Sequence, residues 1–106
     1  MYSGQLDIEV NNIPNDFSLK QNYPNPFNPD TRIQYSLPID TYVSINIVDL
    51  NGKIVKSLVK SFQRAGFKNI TWDGNNDFGQ TLSAGMYILV FTSDEYYASK
   101  KMLLLK

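Results

Sequence analysis

The sequence contains no cysteine and no histidine. Without cysteine, no disulfide can staple the fold, and no thiolate can hold a metal or attack a substrate. Without histidine, the chain lacks the side chain that titrates nearest neutral pH and the commonest zinc ligand. Ser-His-Asp and Cys-His catalytic arrangements are therefore excluded, as is an HExxH zinc site. A long hydrophobic run is also missing. The apolar stretch Met102–Leu105 is far short of the roughly 20 residues that span a bilayer as a helix. An excess of charge of one sign is missing too: ten basic and ten acidic residues cancel and are scattered along the chain. That argues against a broad electrostatic surface for nucleic acid or an anionic membrane. The opening MYSGQLDIEV has neither a basic region nor an apolar core, so it does not read as a secretory signal.

What is present fits one small domain. The 106 residues are 42% hydrophobic and 19% charged, a globular balance. A chain of this size hides roughly 60–70% of its unfolded surface, enough for a thin core. Seven Tyr, six Phe and one Trp tilt the chain toward strands, because flat rings pack well on a pleated surface.

Residues 1–16 read as a linker, with one short strand around Leu6 to Val10. A domain follows over residues 17–106. Phe17 and Leu19 alternate with Ser18 and Lys20 in a strand-like way. Pro24, Pro26 and Pro29 then rule out helix and central strand, and each pushes its predecessor toward extended geometry. This is a stiff loop, with Tyr23 and Phe27 available to pin it to the core. Thr31–Leu37 alternates, with Ile33, Tyr35 and Leu37 on one face, and Val43, Ile45 and Ile47 repeat the pattern. Asn51-Gly52 supplies the positive backbone angles of a tight hairpin.

In 53–60, Ile54, Val55, Leu58 and Val59 share a helical face, yet the β-branched residues and the preceding turn favour a strand. Further strands are expected over 67–72, 86–92 and 96–106, the first with Ile70 and Trp72 on one side. About seven short strands with regular turn signals and no long helix imply an all-β, antiparallel two-sheet sandwich.

Chemical candidates are few. Asp73, Asn75 and Asp77 have the alternating oxygen spacing of a calcium loop, but Phe78 stands where such a loop needs Gly and the closing Glu is missing. A structural turn explains the same residues. Asp94 and Glu95 are neighbours, and in a strand they would point to opposite faces rather than share a substrate. Trp72, Tyr96 and Tyr97 would serve either as packing or as a stacking platform. Asn69-Ile70-Thr71 fits a glycosylation acceptor, a three-residue pattern of little weight. The ending Lys100-Lys101-Met102-Leu103-Leu104-Leu105-Lys106 reads either as a plain last strand with solubilising lysines or as a recognition strand, read through edge pairing or carboxylate capture.

One family gathers these features. FSLKQNYPNPFNPDTRIQYSLP, VSINIVDLNGKIVKSLV, AGFKNITWDGNNDFGQTLSAGMYILVF and the ending KKMLLLK resemble the type A C-terminal sorting domains of the type IX (Por) secretion system of Bacteroidetes. The likeness covers residues 17–106. QNYPNPFNP is its most specific part, whereas the section from Trp72 to Tyr87 is shared with flagellar hook-capping immunoglobulin-like modules.

The resemblance implies an immunoglobulin-like sandwich without catalytic activity or cofactor, placed behind an upstream cargo domain. It implies passage through the periplasm and outer membrane by way of the type IX translocon and its shuttle components, ending at the cell surface or in the medium. It implies removal by a sortase-like cell-surface peptidase, cutting in or before residues 1–16. Carried over by position, the export signal falls on Lys100, Lys101, Met102, Leu103, Leu104, Leu105 and Lys106. The family-motif loop falls on Tyr23, Pro24, Asn25, Pro26, Phe27, Asn28 and Pro29. A structural or carbohydrate-binding accessory module is the competing reading, and a terminal strand leaves a weak homodimer by strand exchange open.

Overall fold

The computed structural model describes residues 13–105. The expected strand at Leu6–Val10 and the terminal Lys106 lie outside the described residues. Within them the chain is all β: β1 (Ser18–Leu19), β2 (Thr31–Leu37), β3 (Thr41–Val48), β4 (Ile54–Gln63), β5 (Gly66–Trp72), β6 (Gly85–Ser93) and β7 (Tyr97–Leu104). Every pairing between these strands is antiparallel, and they form a three-stranded sheet, β1-β2-β5, and a four-stranded sheet, β4-β3-β6-β7.

Period-two alternation builds the core. Ile33, Tyr35 and Leu37 of β2 are buried while Arg32 and Gln34 are exposed. In the four-stranded sheet Ile45 and Ile47 of β3 pair with Phe91 and Leu89 of β6, and these four are fully buried, as is Val43. Trp72 and Phe27 are the largest side chains in this interior.

The mixed pattern in 53–60 has a structural cause. Ile45 pairs with Val59 and Asn46 with Ser57, and then Ile47 pairs with Lys56 and Val48 with Ile54. Leu58 and Val55 are thus extra residues at two β-bulges, each of which resets the face that follows. Both pack on the core, so a bulged strand imitates a helical stripe.

The Asn51-Gly52 turn departs from expectation. Only Gly52 takes a positive φ, at 84°, and Asn51 does not. The Gly52 amide donates to the Asp49 carbonyl at 3.0 Å, and Asp49 Oδ1 accepts from the amides of Asn51 and Lys53. The aspartate holds the turn, so Asn51 is not needed in the left-handed region.

Candidate recognition site

The proline-rich loop and the last strand meet edge to edge. The Phe27 amide donates to the Leu103 carbonyl at 3.0 Å, and the Leu105 amide donates to the Phe27 carbonyl at 2.8 Å, a parallel bridge that pairs Phe27 with Leu104. Asn25 Oδ1 accepts from the Leu103 amide at 2.9 Å, and Gln21 Nε2 donates to the Lys101 carbonyl at 2.6 Å. From Lys101 to Leu105 the outer edge of β7 is therefore occupied from within the chain. Edge pairing with a partner at these residues would have to displace the loop.

Proline chemistry selects which loop atoms make this contact. Pro24, Pro26 and Pro29 carry no N–H. The backbone donors between them are Asn25, Phe27 and Asn28, and Phe27 uses its own on β7. The base of the loop is closed by a buried polar pair. Asn22 and Thr31 are 2% and 1% exposed. Asn22 Nδ2 donates to Thr31 Oγ1 at 2.9 Å, and both side chains donate to the Pro24 carbonyl. With such partners their burial carries no unsatisfied-polar penalty.

The Phe27 ring, 1% exposed, pins the loop as expected and lies 5.5 Å from the Trp72 ring. Trp72 also meets Tyr87 edge-on at 6.0 Å. Tyr23 does not pin the loop. It is 80% exposed, because its backbone exchanges two hydrogen bonds with Arg32, an outward-facing residue of β2. Beside it opens a groove of about 430 Å³ lined by Tyr23, Pro24, Asp30, Arg32, Gln34 and Thr71, among others.

The loop at 73–79 belongs to the same end of the sandwich. Trp72 Nε1 donates to the Asn75 carbonyl at 2.9 Å. Asp73 Oδ1 accepts from the Asn75 amide, while Asp77 Oδ1 accepts from the Ser57 amide and lies 3.9 Å from Lys56 Nζ. Asp73 and Asp77 are thus engaged with different amides, one shaping its own turn and the other covering the bulged edge of β4.

The two adjacent lysines separate. Lys100 pairs with Leu89 and lies on the inward side of β7, whereas Lys101 pairs with Ile88 and lies on the outward side. Successive strand residues point to opposite faces, so the sequence pair is not a single basic patch. Met102 and Leu104 are buried, Leu103 is half-buried, and Leu105 is 45% exposed. Tyr96 stacks on Phe17 at 5.2 Å and Tyr97 is 67% exposed, so the tyrosine pair also divides between core and solvent.

A family model described as a secretion system C-terminal sorting domain matches residues 21–105, from the loop residue that bonds Lys101 to the residue that bonds Phe27. The chain belongs to that family. Two solved structures from Porphyromonas gingivalis, one of them a surface component of the type IX secretion system, are similar to this sorting domain in fold. PorU is 23% identical with a TM-score of 0.62, covering 87% of this chain and 10% of its own. PorZ, an essential surface component of that system, is 14% identical with a TM-score of 0.57, covering 85% and 11%. The sorting domain thus spans about a tenth of the length of each. FlgD of Xanthomonas campestris, a protein of flagellar hook capping, is 24% identical with a TM-score of 0.55, covering 86% of this chain and 63% of its own. Among curated proteins none matches the sorting domain.

Proposed function

We propose that this sorting domain directs an upstream cargo protein across the periplasm and through the type IX outer-membrane translocon, and that its export signal is the last strand together with the proline-rich loop. The observation that carries this reading is the set of bonds from Gln21, Asn25 and Phe27 to residues 101–105. The most specific family segment and the terminal segment are one surface, so the machinery reads them together. Shuttle components bind this end, and a sortase-like peptidase then cuts in or before residues 1–16 to release the domain. The domain itself does no chemistry.

The test is a fluorescent reporter carried behind a signal peptide and followed by residues 1–106, in a bacterium with a working type IX system. Reporter should leave the cell with the intact tag and stay in the periplasm when residues 101–106 are deleted or when Asn25 and Phe27 are both changed to Ala. Equal export of the deletion and the intact tag would sink the reading.

The open groove at Tyr23 supports a second reading, a carbohydrate-binding accessory module. An exposed ring beside Arg32, Gln34 and Thr71 offers a stacking face and hydrogen-bonding groups. Saturable glycan binding lost in Tyr23→Ala, with export unaffected by the C-terminal deletion, would favour it.

A further inference from the structure

The outward face of the four-stranded sheet is apolar where a solvated sheet face is polar. On β6, Met86, Ile88 and Val90 all point away from the core, alternating with the buried Tyr87, Leu89 and Phe91. The register extends this run sideways. Ile88 pairs with Val48, Val48 with Ile54, and Met86 with Leu103 of the last strand. None of these six outward residues belongs to the core cluster or packs against it. Met86 is 38% exposed and Ile54 is 54% exposed, and no strand among the described residues lies over them. Across the four strands the band runs about 14 Å.

Charge decides what fits. Strands β3, β4, β6 and β7 contain no Asp or Glu, and their charged residues are Lys56, Lys60, Lys100 and Lys101. Lys101 pairs with Ile88 and Lys60 with Ser44, both on the outward face. Two copies of this face would bring lysine against lysine, which opposes self-pairing. The same face carries an exposed aromatic pair, Tyr42 against Phe62, 42% and 66% exposed, which extends the apolar area along β3 and β4. An apolar protein surface rimmed by carboxylates matches both this band and its lysines.

We infer that this face, centred on Met86, Ile88 and Val90 and continuous with Leu103, is where the sorting domain docks onto an apolar, acid-rimmed protein surface of the export machinery. The inference rests on the sorting role proposed above and adds to it the chemistry of the partner.

The test uses the same reporter fusion. Ile88→Thr with Val90→Thr keeps β-branched residues in the strand and removes the apolar band. Lys60→Glu reverses a charge far in sequence from the terminal segment. Each variant should lower export about tenfold or more, the change produced by losing roughly 1.4 kcal/mol of docking free energy. The melting temperature of the purified Lys60→Glu chain should stay at the parent value, which separates docking from folding. Normal export of both variants, beside a C-terminal deletion that is retained, overturns the docking face and leaves the sorting role standing. Failure of the unaltered tag to export overturns both. Flotation of the purified chain with phosphatidylglycerol vesicles that the Thr substitutions abolish would assign the face to a membrane. A dimer in sedimentation that the same substitutions dissociate would assign it to a second copy. Either result overturns the inference.

Discussion

Phe27 brackets Leu104: its amide and carbonyl bond the residues on either side, Leu103 and Leu105, while its ring enters the core against Trp72. One residue thus fastens the loop to the last strand and to the interior. Phe27→Ala should cost about 3–5 kcal/mol, the range for emptying a buried aromatic site. Thermal or urea unfolding measures this, and a loss below about 1 kcal/mol would show that the loop does not depend on the ring.

Asn25 acts on the edge alone. Asn25→Ala removes one acceptor from the Leu103 amide and should cost about 0.5–1.5 kcal/mol. Amide hydrogen exchange reads it directly. Leu103 should exchange faster in the variant while Leu89 and Phe91, in the sheet interior, keep their protection.

Trp72 combines packing with a hydrogen bond. Trp72→Ala should destabilise by about 3–5 kcal/mol. Trp72→Phe keeps part of the volume but strands the Asn75 carbonyl, which Trp72 Nε1 now reaches at 2.9 Å. It should fall between the parent and the Ala variant in chemical denaturation, and an Ala variant as stable as the parent would remove Trp72 from the core.

Gly74 has a φ of 79°, and a Cβ there would meet the Pro29 carbonyl oxygen at 3.4 Å and Leu104 Cδ1 at 3.6 Å. Gly74→Ala should cost about 1–2 kcal/mol from backbone conformation alone. Gly79 has the same φ with nothing near its Cβ position. At those distances the added Cβ makes ordinary van der Waals contact, so the two Ala variants should lose alike in melting temperature, and a clearly larger loss at Gly74 would show that the loop presses on Pro29.

The Tyr35 hydroxyl donates to Gln63 Oε1 at 2.7 Å from a side chain that is 4% exposed. Burial raises its pKa above the ordinary 10.0, and the bond to Gln63 pulls it partly back. The folded state therefore holds the phenol proton more tightly than the unfolded state. The associated stability is complete below pH 10.0 and is lost as pH rises from there through the folded value. Melting temperatures taken between about pH 8 and 11 should fall more steeply for the parent than for Tyr35→Phe. Parallel curves would mean that Tyr35 ionises alike folded and unfolded.

Alternation made the sandwich legible. Thr31–Leu37 is a strand with the same bounds in sequence and structure because each buried residue there alternates with a polar one or lies at a covered end. The four residues at 54–59 gave a double signal because bulges are set by the partner strand, which local periodicity does not contain. The candidate site was legible only in parts. The loop announced itself through its prolines and the last strand through its leucines, but their contact depends on Gln21 and Asn25, polar residues that look like ordinary loop composition. The exposure of Tyr23 was hidden for a related reason: its bridge to Arg32 orients the ring, and an aromatic beside prolines reads as an anchor when its backbone partner is unknown.

The bonds from Gln21 to Lys101 and from Asn25 to Leu103 join positions 80 and 78 residues apart. Contacts of such separation are late to form, because the intervening chain must be ordered before its ends can meet. A polypeptide interrupted between residues 30 and 100 would keep the proline-rich motif intact yet leave it with nothing to hold. The joined surface therefore reports that translation ran through to the final strand and that the sandwich closed. A machine reading that surface would select passengers that carry a completed, folded tag over truncated ones without inspecting the passenger at all.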